Sequence, residues 1–182
     1  MKQTIVMICL TIFMASCNNP TTTNSSSDPA TVAAKPGSEV VLPYKLYNPY
    51  QNWQIGSTEN AAAAMNSLKT FQDNDFVAFA ATLGDSLEIR LDYYYAKLNR
   101  DSAVIFFKSA RPTFKDLSIT MYDYESVISA DKKEEWVTLW YKQVWKDDKG
   151  KADSLNIIDD CKMQNGKLIV LDEKIQHYPV KK

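Results

Sequence analysis

The sequence has few of the residues that bind metals, cross-link chains or hold phosphates. Its 182 residues include one histidine, three cysteines and five glycines. No His-x-x-x-His, no Cys-x-x-Cys and no carboxylate loop of calcium-binding spacing occurs, so we expect no metal site. The glycines are too far apart for a phosphate loop or a dinucleotide fingerprint. We therefore expect no cofactor.

An excess of charge of either sign is also missing. Lysine and arginine together number 21, against 22 aspartates and glutamates. A near-neutral chain has no long-range field that would attract a polyanion or an anionic membrane surface. We expect no nucleic-acid partner.

The amino-terminal apolar run is too short to span a bilayer as a helix. It extends from Ile5 to Met14, follows Lys2, and has the length of an export signal. The tetrapeptide Met14-Ala15-Ser16-Cys17 resembles the bacterial lipobox, although Leu is more usual at its first position. This resemblance implies a signal peptide (residues 1–16), lipid on Cys17 and firm membrane attachment through the acyl chains. An ordinary secretory signal and an uncleaved anchor are the alternatives.

A location follows from this resemblance. Asn18 differs from the Asp that retains lipoproteins at the inner membrane, which predicts a lipid-anchored protein of the cell envelope at the outer membrane, facing the periplasm. With Cys17 acylated and the signal removed, Cys161 is the remaining thiol, so no disulfide framework is expected.

Two segments of unusual composition separate the lipid from the domain. Residues 17–42, beginning with the lipidated cysteine, are rich in Asn, Thr, Ser, Pro and Ala and predict a disordered tether. Residues 43–56 form an aromatic strap segment whose rings are spaced by three, the period of polyproline II. These rings belong to Tyr44, Tyr47, Tyr50 and Trp53. Packing across the domain and docking of a partner both remain open for this segment.

Helical periodicity dominates the first part of the domain, residues 57–182. Ser57 or Thr58 caps a predicted helix that ends near Asp73, and a second helix begins after Asn74 or Asp75. Gly84 is predicted to end that second helix in the left-handed conformation. A short strand at 87–91 and a third helix at 101–111 follow.

Beyond Pro112 the period becomes two, which predicts four long antiparallel strands. They cover 117–128, 136–145, 155–163 and 168–177. The turns 147–150 and 164–167 join strands, and Asn165-Gly166 is a strong hairpin signal. Alternation predicts an inner face, toward the helices, made of two sets of residues. These are Leu155, Ile157, Cys161 and Met163 on one strand, and Ile169, Leu171 and Ile175 on the last.

The order of these elements, an α+β domain, resembles the nuclear-transport-factor-2-like (NTF2-like) superfamily of the SnoaL-like and ketosteroid-isomerase-like kind. The resemblance covers residues 57–179 and is carried by Gly84-Asp85 before a strand, by Trp136-Val137-Thr138-Leu139-Trp140, and by Asn165-Gly166-Lys167-Leu168-Ile169. It implies a cone-shaped fold in which three N-terminal helices pack against a curved, mainly antiparallel sheet. A pocket between them and a homodimer through the sheet are also implied. It implies no single activity, because the superfamily includes isomerases, cyclases, dehydratases and domains without catalysis.

Candidate catalytic residues are carboxyls that alternation directs into an apolar pocket, where desolvation raises their pKa toward neutrality. Asp159 shares the face of Ile157 and Cys161, and Glu173 is directed inward by the same logic; a solvent-exposed position is the alternative for both. Asp92 and Tyr94 form a possible polar cluster at the pocket mouth, with tyrosine packing as the alternative.

Aromatic walls and the remaining reactive groups complete the candidates. Trp140, Tyr122 and Tyr124 are predicted to line the cavity with Asp159, although core packing is the commoner fate of such rings. His177 is expected at the surface and Cys161 in the core, because neither has a partner that would make it a nucleophilic site.

Three functions are compatible with these features. The first is an envelope lipoprotein whose domain binds a small apolar ligand or a protein partner without catalysis. The second is a SnoaL-like isomerase or dehydratase, which requires a buried carboxyl such as Asp159 within hydrogen-bond reach of a tyrosine hydroxyl. The third is a structural homodimer or assembly subunit, because aromatic residues occupy both faces of the strand 136–145 and only one face can be core.

Overall fold

The computed structural model of the protein describes residues 42–177. The predicted signal peptide, the lipidated Cys17 and most of the tether lie outside the described residues. Within the described range, no helix has both the length and the apolar character needed to cross a membrane.

Three α-helices and a short 3-10 helix occur in the described chain, and each α-helix begins at a polar cap. Ser57 Oγ accepts a hydrogen bond from the amide of Asn60 at 3.1 Å, Asp75 caps the second helix and Asn99 caps the third. The helices are α1 (Thr58–Gln72), α2 (Phe76–Thr82), α3 (Arg100–Ala110) and the 3-10 helix η1 (Arg111–Thr113).

Seven strands of the described residues form one sheet in the order β1-β4-β5-β6-β7-β2-β3. All neighbours are antiparallel except β2 and β7, which are parallel. The strands are β1 (Gln54–Ile55), β2 (Leu83–Leu91), β3 (Tyr94–Asn99), β4 (Lys115–Ile128), β5 (Glu135–Lys146), β6 (Ala152–Gln164) and β7 (Lys167–His177).

The core lies between the helices and one face of this sheet. Alternate residues of β5 and β6 point toward the helices and are buried, while their neighbours are more exposed. The helices contribute Ala61, Ala64, Phe76, Phe79 and Ala103, all buried. This arrangement confirms the predicted α+β fold with three helices packed against a curved, mainly antiparallel sheet.

The predicted helices and the four long strands are confirmed to within a few residues, whereas β1 and β3 were not predicted. β3 contains the run Tyr93 to Tyr95 in part, and its residues are mostly exposed. A strand at the sheet edge buries little surface, so its sequence lacks the clear alternation that identifies an inner strand.

The role predicted for Gly84 is wrong. Gly84 lies inside β2 and does not adopt the left-handed conformation, which among the described glycines is found at Gly150 and Gly166. A Cβ atom at Gly84 would come within 2.7 Å of Ile169 Cγ2 on the paired strand β7. The Ile169 side chain packed against this position, and not a helix end, therefore requires the glycine.

A β-bulge changes the predicted inner face of β7. Met163 pairs with Leu168 and Lys162 pairs with Val170, so Ile169 is an extra residue without a partner on β6. Leu168 takes the inner position that was predicted for Ile169, while Leu171 and Ile175 keep theirs. The inner positions predicted on β6 are confirmed: Ile157, Cys161 and Met163 are buried and Leu155 is half-buried.

The aromatic segment meets the sheet through its backbone. The amide of Ala130 donates to the Gln51 carbonyl at 3.1 Å, and β1 pairs with β4. The side chains of Tyr47 and Tyr50 are exposed, and Trp53 is half-buried. The segment is therefore attached to the sheet by backbone hydrogen bonds and not by packing of the Tyr47 and Tyr50 rings.

Candidate functional site

A cavity of about 190 Å³ lies between the helices and the inner face of the sheet. Most of its wall is apolar, and its polar groups come mainly from the sheet. The lining residues are Ala64, Ser67, Leu68, Phe71, Phe79, Leu91, Phe106, Phe107, Ala110, Phe114, Leu139, Tyr141, Gln143, Leu155, Ile157, Asp159, Cys161, Leu168, Leu171, Glu173 and Ile175.

The helical side of the cavity is built from phenylalanines that fix one another edge to face. Phe71 of α1 and Phe107 of α3 have ring centroids 5.9 Å apart at 77°, and Phe79 of α2 lies 5.3 Å from Phe107. Edge-to-face contacts of this kind are favourable beyond the burial of area alone. The three helices therefore present a rigid aromatic wall to the sheet.

Arg111 connects the end of α1, which carries Phe71 of this wall, to the sheet. Its guanidinium donates hydrogen bonds to the carbonyls of Phe71 at 3.0 Å, Gln72 at 2.7 Å and Phe114 at 2.6 Å. Two of these carbonyls belong to the last turn of α1, where helical donors run out, and that of Phe71 also accepts from the Asn74 amide at 3.1 Å. Arg111 thus satisfies the end of α1 and links it to the start of β4; nothing in its sequence position had indicated this role.

Asp159 is the most deeply buried acid of the described residues, with 4% of its surface exposed. It sits in the middle of β6, on the inner face, as alternation with Ile157 and Cys161 predicts. Its Oδ2 accepts a hydrogen bond of 2.9 Å from the hydroxyl of Tyr141 on β5. Its Oδ1 is buried and receives no hydrogen bond from any described residue. One oxygen of the carboxyl is therefore left without a hydrogen-bond partner among the described residues.

Glu173 lies directly opposite Asp159 across the β6–β7 pair. Residues at such positions have their Cβ atoms about 4.5–5.5 Å apart, so the two side chains share one part of the wall. Burial, together with the charge of Asp92, raises the pKa of the Glu173 carboxyl to about 7. This group can exchange a proton near neutral pH.

Desolvation also controls the other titratable groups of the cavity. Burial and the nearby charge of Glu173 raise the pKa of Asp159 well above its ordinary value, against the opposing effect of the Tyr141 hydrogen bond. Burial and the charge of Asp159 likewise raise the pKa values of Tyr141 and Cys161. At neutral pH Tyr141 is thus a neutral phenol and Cys161 a thiol.

Asp92 and Tyr94, which were predicted to form a polar cluster at the pocket mouth, do not line the cavity. The Tyr94 ring stacks on Phe106 at 4.6 Å and 14°. Asp92 is exposed and acts on the site only through its charge, which raises the pKa of Glu173. The tyrosine hydroxyl next to Asp159 belongs to Tyr141 instead.

None of the three predicted aromatic walls lines the cavity. Trp140 pairs with Ile158 on the opposite face of the sheet from Asp159. Tyr122 occupies a bulge between the pairs formed by Met121 and Asp123, and more than half of its surface is exposed. Tyr124 pairs with the buried Leu139 but is itself 43% exposed.

Sequence reasoning missed Tyr141 and Gln143 as cavity residues. Both lie on β5 at alternate positions with Val137 and Leu139, and both are buried. A signal was present, because the odd residues from 137 to 143 are Val, Leu, Tyr and Gln, whereas the even residues of the strand include Thr138 and Lys142. The large Trp136 and Trp140 rings made the even face look like the cavity face instead.

Other reactive groups add little to the site. Cys161 is buried in the cavity wall, and nothing is described of the His177 side chain. Across residues 42–177, no three His, Cys, Asp or Glu side chains converge in a way that could hold a metal ion.

Comparisons with known proteins give a fold and no closer relation. No family model matches the chain, and no curated protein matches it. An LEH-like epoxide hydrolase from M. tuberculosis matches with a TM-score of 0.54 at 13% identity, covering 66% of this chain and 84% of that chain. AusH from Aspergillus nidulans also has a TM-score of 0.54, at 14% identity over 68% of this chain and 87% of that chain.

A third similar structure is described as NTF2-like. An NTF2-like protein of unknown function from Burkholderia pseudomallei has a TM-score of 0.54 at 11% identity, covering 66% of this chain and 92% of that chain. Identities this low say nothing about shared chemistry. The chain described here has an NTF2-like fold.

Proposed function

We propose that the domain binds a small, mostly apolar molecule in its cavity through one polar group that hydrogen-bonds Asp159. The observation that carries this proposal is Oδ1 of Asp159, a buried oxygen at the cavity wall with no partner among residues 42–177. Leaving such a group unsatisfied costs about 1–3 kcal/mol, and a ligand group at hydrogen-bond distance offsets that cost.

The cavity volume sets the size of the ligand. An apolar cavity of about 150 Å³ accommodates benzene, and this cavity measures about 190 Å³. A six-membered ring with a short polar substituent fits this volume. Molecules with several fused rings do not fit without movement of the helices.

Binding of such a molecule can be measured by calorimetry and by protein NMR on the full chain. Benzyl alcohol is a suitable probe, because it has one ring and one hydroxyl. We expect saturable binding with shifts confined to cavity residues, and a loss of about tenfold or more in affinity for Asp159→Asn. Asp153→Asn, on an exposed position of the same strand, is the matched control and is expected to bind normally. Absence of binding, or binding unaffected by Asp159→Asn, would contradict the proposal.

A second function, acid–base catalysis of the isomerase or dehydratase type, is favoured by a specific pairing. Glu173 has a pKa of about 7 and can accept a proton from carbon at neutral pH. Burial raises the pKa of Asp159 well above its ordinary value. In the protonated form, because Tyr141 donates to Oδ2, the proton lies on Oδ1 and can be donated to a carbonyl oxygen in the cavity. A base and a hydrogen-bond donor on opposite strands are the groups needed to form an enol from a small ketone.

A small β,γ-unsaturated cyclic ketone tests this second function. Glu173 would remove a proton next to the carbonyl and return it at the far end of the double bond, giving the conjugated isomer with no net change in atoms. Conversion followed by ultraviolet absorbance, lost in Glu173→Gln and retained in Glu125→Gln, supports catalysis. If the protein binds benzyl alcohol but isomerises the ketone no faster than buffer does, catalysis is contradicted and the binding function stands.

The location is a separate proposal and rests on the Met14-Ala15-Ser16-Cys17 pattern. Attachment of lipid to Cys17 would hold the domain at the outer membrane, facing the periplasm, where small envelope molecules are the available ligands. Labelling bacteria that express the chain with a fatty-acid analogue should mark the wild type and leave Cys17→Ala unmarked. A wild-type protein that carries no label would contradict lipidation.

A further inference from the structure

The cavity contains acids without bases. Of the residues that line it, Asp159 and Glu173 are carboxylic acids, and none is lysine, arginine or histidine. The nearest cation on these strands, Lys174, lies on the other face of the sheet. Its Nζ is 2.7 Å from Asp160 Oδ2 and 3.1 Å from Asp172 Oδ1. The charge of Lys174 lowers the pKa of Asp159 in part, but no cation lines the cavity beside the two carboxyls.

We propose that the ligand of this cavity is a small apolar amine, bound as its ammonium ion between Asp159 and Glu173. This inference rests on the proposed binding function and names the chemical class of the ligand. An acid pair in an apolar wall without a counterion, one member buried and one half-buried, is stabilised by a ligand that brings a positive charge.

The number of acceptors supports an ammonium group over a hydroxyl. An ammonium ion has three N–H donors, and the wall offers three acceptors next to one another. These are Oδ1 of Asp159, the carboxyl of Glu173 on the facing position of β7, and the Tyr141 hydroxyl oxygen. The Tyr141 hydroxyl uses its hydrogen toward Asp159, so its lone pairs are free to accept. An alcohol, with a single donor, satisfies one of the three.

The remaining wall suits the apolar part of such an amine. Phe71, Phe79, Phe106 and Phe107 line the cavity from the helices. Aromatic faces attract cations as well as apolar groups, so an ammonium next to this wall loses less on leaving water than it would among aliphatic side chains.

The charge of the pair makes this binding depend on pH. The titratable groups around Asp159 and Glu173 are Tyr141 on β5, Cys161 on β6 and the exposed Asp92 after β2, while Asp160 and Lys174 face away on β6 and β7. The cavity residues of α1, α2 and α3 are apolar apart from Ser67, so none of them titrates. Above the Glu173 pKa of about 7 the pair carries a negative charge. Below it, Glu173 is neutral and the ammonium loses this charged partner.

Benzylamine and benzyl alcohol, which share a ring and differ in the polar group, distinguish this inference from simple apolar binding. Benzylamine stays protonated across the range, since alkylamines titrate near the lysine value of about 10.4. Titration of the full chain by calorimetry should show affinity for benzylamine falling roughly thirtyfold from about pH 8 to about pH 5.5, as expected for a carboxyl of pKa about 7. Benzyl alcohol should bind with nearly constant affinity.

Substitution of Glu173 tests whether this carboxyl is the source of the pH dependence. Glu173→Gln is expected to abolish the pH dependence and weaken benzylamine at about pH 8, while Glu125→Gln, exposed on β4, leaves both unchanged. The pH series on the wild type needs no variant, so it remains decisive if Glu173→Gln fails to fold. Equal affinity for the two probes, or a flat pH profile for benzylamine, overturns the amine inference and leaves the proposed function intact. Failure of both probes to bind overturns both.

Discussion

At the scale of single residues, the chemistry of this domain depends on where three polar side chains lie in an apolar wall. Asp159, Tyr141 and Glu173 come from three neighbouring strands, and the hydrogen bond between the first two has a length of 2.9 Å. Because water is largely excluded, each group keeps its proton at a pH where an exposed carboxyl has lost it. The inward direction of Asp159 was predictable from alternation, but the tyrosine that binds it was not.

Loss of the Tyr141 hydroxyl should destabilise the domain. In Tyr141→Phe the second oxygen of Asp159 also loses its partner, which costs about 1–3 kcal/mol of unfolding free energy. Urea denaturation monitored by circular dichroism measures this change. The control is Tyr93→Phe, whose ring is 99% exposed and whose substitution should change stability by less than about 0.5 kcal/mol. Equal stability of the two variants would show that the buried contact contributes nothing net.

Replacement of Glu173 should stabilise the protein at high pH and not at low pH. The pKa of this acid is raised from 4.5 to about 7 in the folded state, so its cost to stability is absent below the lower value and grows as pH rises to the upper one. We expect Glu173→Gln to gain about 1–2 kcal/mol at about pH 8 and nothing at about pH 4.

Denaturation curves at a series of pH values measure the difference between the wild type and this variant. The exposed Glu125→Gln should show no such pH-dependent difference. A gain that is the same at both ends of the range would mean that the effect of Glu173→Gln comes from packing and not from ionisation.

At the scale of elements, strand register decides which side chains reach the cavity. The predicted four-residue turn at 147–150 would pair Lys146 with Lys151, and would place Trp140 beside Ile157 on the inner face. The structure instead closes a five-residue loop, with Lys146 paired to Ala152 and Asp147 Oδ1 accepting from the Lys151 amide at 2.8 Å. A shift of one residue moves every side chain of a strand to the other face. That shift brings Tyr141 to the acid and turns Trp140 away.

Close contact between β2 and β7 gives a prediction at this scale. Gly84→Ala places a methyl group 2.7 Å from Ile169 Cγ2, so the Ile169 side chain or one of the strands must shift, and overpacking of this kind costs about 1–3 kcal/mol. Ile169→Ala removes the opposing atom. In a double-mutant cycle, Gly84→Ala should therefore be less destabilising when Ile169 is already alanine.

Additivity within about 0.5 kcal/mol would contradict this explanation of the glycine. Gly84 would then be required for a reason other than its contact with Ile169. Gly150→Ala offers a contrast, since no atom lies near its Cβ position and its cost should come from its positive φ alone.

At the scale of the whole molecule, the sheet has one face in the core and one face that the helices leave uncovered. The uncovered face carries Trp140, half-buried, next to Ile158 on β6 with 36% of its surface exposed. A second copy of the chain packed on this face would form the homodimer that the resemblance to NTF2-like proteins implies. We keep this as a proposal.

Sedimentation velocity at micromolar concentration tests the dimer. We expect wild-type protein to sediment as a dimer and Ile158→Lys as a monomer, because a charge in an apolar interface loses its hydration without gaining a partner. Ile105→Lys, on the exposed side of α3, is the control and should remain dimeric. A wild-type monomer would contradict the proposal.

The sequence by itself determined the three helices, the four long strands, their order and the inward direction of Asp159, because hydrophobic period, helix caps and turn residues are local properties. It did not indicate the edge strands β1 and β3. The tertiary structure alone decided the Tyr141 partner, the facing Glu173 and the bulge that moves Leu168 inward. These depend on register and strand order, to which residues far apart in the chain contribute. The pKa of about 7 at Glu173 is likewise tertiary, because a side chain is desolvated by neighbours that only the fold brings to it.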